Sequence, residues 1–196
     1  IATNGWRATT YTYNYQGDLL TTTDPWGTVT NTYNAFGQVL TTTDRMNGVW
    51  TKTYDANGNL TTVKDPLDKI TTYNYPATNN KGLPDSVTDA RQNTTKYKWV
   101  ASGLLQETEN PYLKKTTYTY DARARIKTIT NALSHVTQYN YFDDTQRKIE
   151  VIYPDLKTAV YEFDNRRLLN KITDERLKIT TYEFDDARRL TKITDP

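Results

Sequence analysis

The chain has 196 residues, 36% of them hydrophobic and 24% charged, with 25 Lys and Arg against 23 Asp and Glu. A formal net charge of +2 excludes charge as the footprint of a nucleic-acid or polybasic membrane binder. No apolar run approaches the ~20 residues that a membrane-spanning helix needs, and no charged-then-apolar leader opens the sequence.

Hydroxyl usage is lopsided, with 37 Thr and 16 Tyr against 3 Ser. Ser would serve solvation equally well, whereas β-branched Thr and aromatic Tyr suit a pleated, half-buried surface. The fold class expected is all-β.

In chain order, an aromatic recurs ahead of a turn: Tyr13, Tyr33, Tyr54, Tyr75, Trp99, Tyr120, Tyr141, Phe163 and Phe184. Six residues after most of these comes an aliphatic, as at Leu19, Val39, Leu60, Leu105, Ile126, Leu169 and Leu190. Eleven residues after most comes Asp or Asn, as at Asp24, Asp44, Asp65, Asn110, Asn131, Asp174 and Asp195. Insertions after Tyr75 and Tyr141 push that position to Asp89 and Asp155. Asn4 falls at the same phase, so residues 1–196 read as nine periods of about 21 residues, an internal segment of a larger repeat array.

Each period reads as a β-hairpin. In Thr72-Tyr73-Asn74-Tyr75 the aromatics lie two apart and share a face. Asp55-Ala56-Asn57-Gly58 is a tight turn in which Asp bonds its own backbone and Gly accepts positive φ. A returning strand follows, and Asp65-Pro66-Leu67-Asp68 turns the chain again with Pro setting φ. Nine hairpins give about eighteen strands. The turn residues singled out are Gly17, Gly37, Gly58, Gly103, Asp24, Asp65 and Asp195; the glycine position becomes Ala124, Arg167 and Arg188 in the second half.

Tyr54-Asp55-Ala56-Asn57-Gly58-Asn59-Leu60, followed by Thr62-Val63-Lys64-Asp65-Pro66, resembles the YD repeat of the Rhs family, whose members include shell components of insecticidal toxin complexes, polymorphic toxins and teneurins. The resemblance implies hairpins wound into a continuous spiralling sheet, part of a β-cocoon that encloses a C-terminal toxin domain of the same larger polypeptide. It implies as partners further YD repeats, that toxin domain and components of a delivery system, and as location the bacterial exterior or cell surface. The family's aspartate-dependent self-cleavage belongs to a separate segment after the repeats and is not expected of these residues. Eighteen strands about 4.8 Å apart, rolled once, close on a diameter of about 27 Å, while a 100-residue globule is roughly 34 Å across. Residues 1–196 are therefore expected to be a stretch of wall rather than a vessel.

Chemistry is sparse. With His135 the single histidine and no Cys, catalytic triads, thiol nucleophiles and multi-His or Cys zinc sites lack their residues. The pairs Asp143-Asp144 and Asp185-Asp186 fall in turn segments, where hydrogen bonding explains them before calcium or glycoside chemistry does. No enzyme activity, cofactor or metal is expected. The alternative function is an extracellular adhesion or carbohydrate-binding module, with Trp26, Trp50 and Trp99 stacking on sugars. Basic residues gather late, at Arg123, Arg125, Arg147, Lys148, Arg166, Arg167, Arg188 and Arg189, and they fit a cargo-facing wall and a solvated edge equally.

Overall fold

The structure, a computed structural model, describes residues 8–76, 82–142 and 147–196; the expectations at Asn4 and at Asp143-Asp144 lie outside them. The described chain is all-β, with eighteen strands. It forms two compact units, Ile1–Tyr97 and Lys98–Pro196.

The first unit contains β1 (Thr10–Tyr13), β2 (Leu19–Asp24), β3 (Gly27–Tyr33), β4 (Val39–Thr43), β5 (Val49–Tyr54), β6 (Leu60–Lys64), β7 (Ile70–Asn74) and β8 (Ser86–Thr88), and β9 (Thr94–Trp99) leads out of it. The second contains β10 (Leu105–Glu109), β11 (Lys115–Tyr120), β12 (Ile126–Thr130), β13 (Val136–Phe142), β14 (Lys148–Ile152), β15 (Thr158–Phe163), β16 (Leu169–Thr173), β17 (Ile179–Phe184) and β18 (Leu190–Thr194). Within each unit every strand pairs antiparallel with its neighbours in sequence, as the hairpin reading requires, and the sheet does not close.

Both kinds of turn share one geometry. In the turn beginning at Asp55, the Gly58 amide donates to the Asp55 carbonyl at 3.0 Å and the Asp55 amide donates to the Asn59 carbonyl at 2.9 Å. The carboxylate of Asp55 accepts the amides of Asn57 and Asn59 at 2.9 and 2.8 Å. Gly58 has φ +83°, and the register slips between Thr53 and Tyr54, the signature of a type I turn with a left-handed bulge residue. The turn beginning at Asp65 repeats this, its carboxylate accepting from Leu67 and Lys69 and its left-handed residue being Asp68.

One expectation shifts. The turn after β14 begins at Tyr153, whose carbonyl accepts from Leu156 at 2.9 Å, so Asp155 sits in mid-turn rather than at the turn's first position. From there the Asp155 carboxylate accepts the Lys157 amide at 3.2 Å and pairs with the Lys157 ammonium.

Packing is that of a single layer. Among the described residues only Val151 and Ala159 are buried, and they face each other across β14 and β15. Stability comes from ladders and cross-strand side-chain pairs rather than a two-layer core.

Candidate functional site

Cross-strand partners lie on the same side of a sheet, so the registers sort the side chains into two faces. Trp50 opposes Thr42, Lys52 opposes Val63, and Tyr73 opposes Val87 in the first unit. In the second, Tyr118 opposes Ile129, Tyr139 opposes Val151, and Tyr161 opposes both Ile149 and Ile172. This is an aromatic and aliphatic face. The other face carries mainly Thr and charge, with Val49, Phe142, Ile152 and Val160 among them.

The recurring aromatics hold the aromatic face together along the repeat. Most hairpins set their anchor against the aliphatic six residues on: Tyr33 opposes Val39, Tyr54 opposes Leu60, Tyr120 opposes Ile126, and Phe163 opposes Leu169, while Tyr141 opposes Ile149. Each anchoring tyrosine also reaches the preceding hairpin. The hydroxyl of Tyr33 donates to the Leu19 carbonyl at 2.7 Å, Tyr54 to Val39 at 2.9 Å and Tyr75 to Leu60 at 3.0 Å. Tyr120 donates to Leu105 at 2.7 Å and Tyr141 to Ile126 at 2.9 Å. One side chain thus packs within its own hairpin and bonds the one before it. Burial lifts the phenols of Tyr54, Tyr75 and Tyr141 above their ordinary value, which keeps the donor proton in place.

Phe163 and Phe184 hold anchor positions without a hydroxyl, and Tyr13 is 57% exposed on β1. Trp99, an anchor and a glycan-contact candidate, is half-buried, while Trp26 in the β2–β3 turn and Trp50 on β5 are exposed.

On the opposite face, hydroxyls pair across strands in the first unit: Thr12 with Thr21 at 2.7 Å, Thr32 with Thr41 at 2.7 Å, and Thr53 with Thr62 at 2.6 Å. In the second unit ions take over much of this role, with Lys115 on Glu107, Lys171 on Glu162 and Lys192 on Glu183, each at 2.8 Å. Glu162–Lys171 and Glu183–Lys192 occupy the positions that Thr32–Thr41 and Thr53–Thr62 hold in the first unit.

The singled-out glycines Gly17, Gly37, Gly58 and Gly103 all have positive φ, and so do Ala124, Arg167 and Arg188 at the equivalent position. Asp24 accepts the Trp26 amide at 3.0 Å and pairs with Arg45 of the next hairpin, whose guanidinium holds its carboxyl below the usual value. Asp195 follows β18. His135 is exposed at a turn end, its amide donating to Asn131 Oδ1 at 3.0 Å. Asp185 caps its turn through the Arg189 amide at 2.9 Å and binds the Arg189 side chain at 2.8 Å.

Most of the late arginines are turn residues. Arg125, Arg166 and Arg189 pair with the carboxylates of Asp121, Asp164 and Asp185 in their own turns. Arg123, Arg125, Arg147, Lys148 and Arg167 line one groove with Tyr141, Phe142 and Phe163. There the Arg125 guanidinium lies 4.0 Å from the Tyr141 ring centre and the Lys148 ammonium 4.5 Å from that of Phe142. Among the described residues no group of three His, Cys, Asp or Glu is placed to hold a metal, and no helix is long and apolar enough to cross a membrane. The inter-hairpin tyrosine bonds were not foreseen from sequence; the spacing of fourteen residues at Leu19 and fifteen at the other four from aliphatic to the next tyrosine is the signal that carried them.

Comparison with known proteins agrees with this geometry. The family model described as RHS Repeat matches residues 33–70 and 54–81. No curated protein matches the chain. Among solved structures, the crystal structure of TcdB2-TccC3-TEV is similar with a TM-score of 0.77 at 15% identity, covering 97% of this chain and 11% of that one. TcdB2-TccC3 without its hypervariable C-terminal region gives 0.69 at 14% identity, covering 95% and 12%. The Photorhabdus luminescens Tc holotoxin pore gives 0.52 at 14%, covering 96% and 15%. The chain thus spans only about a tenth of the length of the two TcdB2-TccC3 chains. Residues 33–81 thus carry RHS repeats, and the hairpins joined through their anchor aromatics share the all-β fold of these structures.

Proposed function

We propose that this chain is a stretch of wall in a YD-repeat shell that sequesters a toxin or effector domain for delivery. Its mechanism is exclusion rather than turnover, and the enclosed domain is a further segment of the same, exported, polypeptide. The observation that carries the reading is the fold likeness over 97% of this chain to a structure of which it covers 11%. A layer with almost no core supports it, because such a layer works by extension and not by holding a pocket.

The test is limited proteolysis of the natural polypeptide that contains these residues. A segment outside the repeats should survive while the sheet is intact and be cut once the sheet is denatured. Cleavage of every non-repeat segment at the same rate before and after denaturation contradicts sequestration. Exposed Trp26 and Trp50 favour the glycan-binding module as the second reading. It requires saturable oligosaccharide binding that is lost in Trp26→Ala or Trp50→Ala.

A further inference from the structure

In the second unit the β11–β12 turn, the start of β14 and the β15–β16 turn bring five cations to one groove of about 600 Å³: Arg123, Arg125, Arg147, Lys148 and Arg167. Aromatic and aliphatic side chains line the rest of it, and no carboxylate does. Every strand from β11 to β16 is paired on both sides, so the groove is internal to the sheet.

Elsewhere in this unit turn arginines answer to turn carboxylates, as Arg166 does to Asp164 and Arg189 to Asp185. In the groove Arg125 pairs with Asp121, but Arg147 donates to the neutral Oδ1 of Asn165 and Lys148 lies on the Phe142 ring. Glu162, the cross-strand partner of Lys148, is held by Lys171 at 2.8 Å. Among the described residues no carboxylate pairs with Arg147, Lys148 or Arg167. Arg167 also holds φ +64° where the first unit uses Gly17, Gly37 and Gly58. Folding gains nothing from a left-handed arginine added to a groove that is already cationic, and strain kept at such a place points to binding.

From the β11–β12 turn to the β15–β16 turn is four strand spacings, about 19 Å, a length that an extended peptide covers in about six residues. The four arginines stand in or beside turns, whereas Tyr141, Ile149 and Phe163 stand on strands, so the groove has a cationic side and an apolar one. Alternate side chains of an extended peptide point opposite ways and meet both sides. We infer that the groove binds an extended acidic peptide segment in which Glu or Asp alternates with apolar residues. Arg147, Lys148 and Arg167 receive its carboxylates, the arginines through their planar forks, and Ile149 and Phe163 receive its apolar side chains. Single-stranded nucleic acid fits less well, because ring faces on which bases would stack hold Arg125, 4.0 Å from the Tyr141 centre, and Lys148, 4.5 Å from that of Phe142. The inference rests on the groove and stands apart from the sequestration reading.

Fluorescence anisotropy on the full-length polypeptide that contains these residues tests it, with a labelled hexapeptide of alternating Glu and Leu as probe and a Gln and Leu counterpart as control. The Glu peptide should bind saturably and more weakly as salt is raised, and the Gln peptide should not bind. Arg167→Gly should weaken binding at least about tenfold, the worth of one charge-assisted hydrogen bond, while raising the denaturation midpoint, so that lost binding is not lost folding. Arg188→Gly removes the same charge from the same φ of +64° outside the groove and should bind like the parent. The proposal is overturned by no saturable binding of the Glu peptide, by equal binding of the Gln peptide, by an Arg167→Gly variant that binds like the parent, or by equal losses in Arg167→Gly and Arg188→Gly. Tighter binding of a hexathymidylate probe also overturns it and assigns the groove to nucleic acid.

Discussion

At the residue scale, the anchor tyrosine does two jobs that a phenylalanine divides. Tyr54→Phe keeps the contact with Leu60 and loses the bond to the Val39 carbonyl, leaving that acceptor short of a partner. It should cost about 1 kcal/mol in chemical denaturation, while Tyr15→Phe, 95% exposed in its turn, should cost almost nothing. The left-handed turn position separates residues in the same way. Gly58→Val should lose far more stability than Thr61→Val, since only Gly58 sits at positive φ. Arg167→Gly should gain up to about 1 kcal/mol by relieving a side chain held at φ +64°. The glycine at this position was readable in the first half of the sequence. Leu113, Leu156 and Leu177 hold the same conformation and were not, because nothing about leucine announces positive φ. The bonds that close the turn on either side impose it.

At the element scale, many of the turns are capped by carboxylates whose ionised form accepts backbone amides. The Asn59 side chain and amide hold Asp55 below its ordinary value, Asn93 does the same for Asp89, and the turn amides of Arg125, Leu168 and Arg189 do so for Asp121, Asp164 and Asp185. The folded chain therefore binds fewer protons than the unfolded one in acid. Its stability is present above the unfolded carboxyl pKa of about 3.9 and is lost as pH falls through the lowered folded values. The raised phenols of Tyr54, Tyr75 and Tyr141 work in the opposite sense. Stability is present below about pH 10 and declines as pH rises through the folded values, where a phenolate can no longer donate to a carbonyl. Denaturation midpoints measured from pH 2 to 11 should show both flanks; a flat acid flank contradicts the capping account. The hairpins themselves were legible because alternation of Thr and Tyr and the Asp-led turns act locally. The phase after Tyr141 was not, since an Asp in mid-turn looks like an Asp at the turn's start when only spacing is available.

At the scale of the whole molecule, the strands of each unit carry two faces of different chemistry, and among the described residues only Val151 and Ala159 are buried. The sequence showed the repeat and its anchors through period alone. It did not show that Thr pairs and ion pairs alternate in one role, because face assignment depends on registers that include bulges. A single layer of this kind gains stability as hairpin is added to hairpin, which is the geometry behind the wall reading. The central claim is that these residues are wall within a larger container. The denatured intact mass of the polypeptide recovered from its natural source, set against the 22.7 kDa of residues 1–196, tests it most directly. A chain several times heavier is the expected result. A mass near 22.7 kDa would contradict the account, because nine hairpins alone cannot enclose a toxin domain.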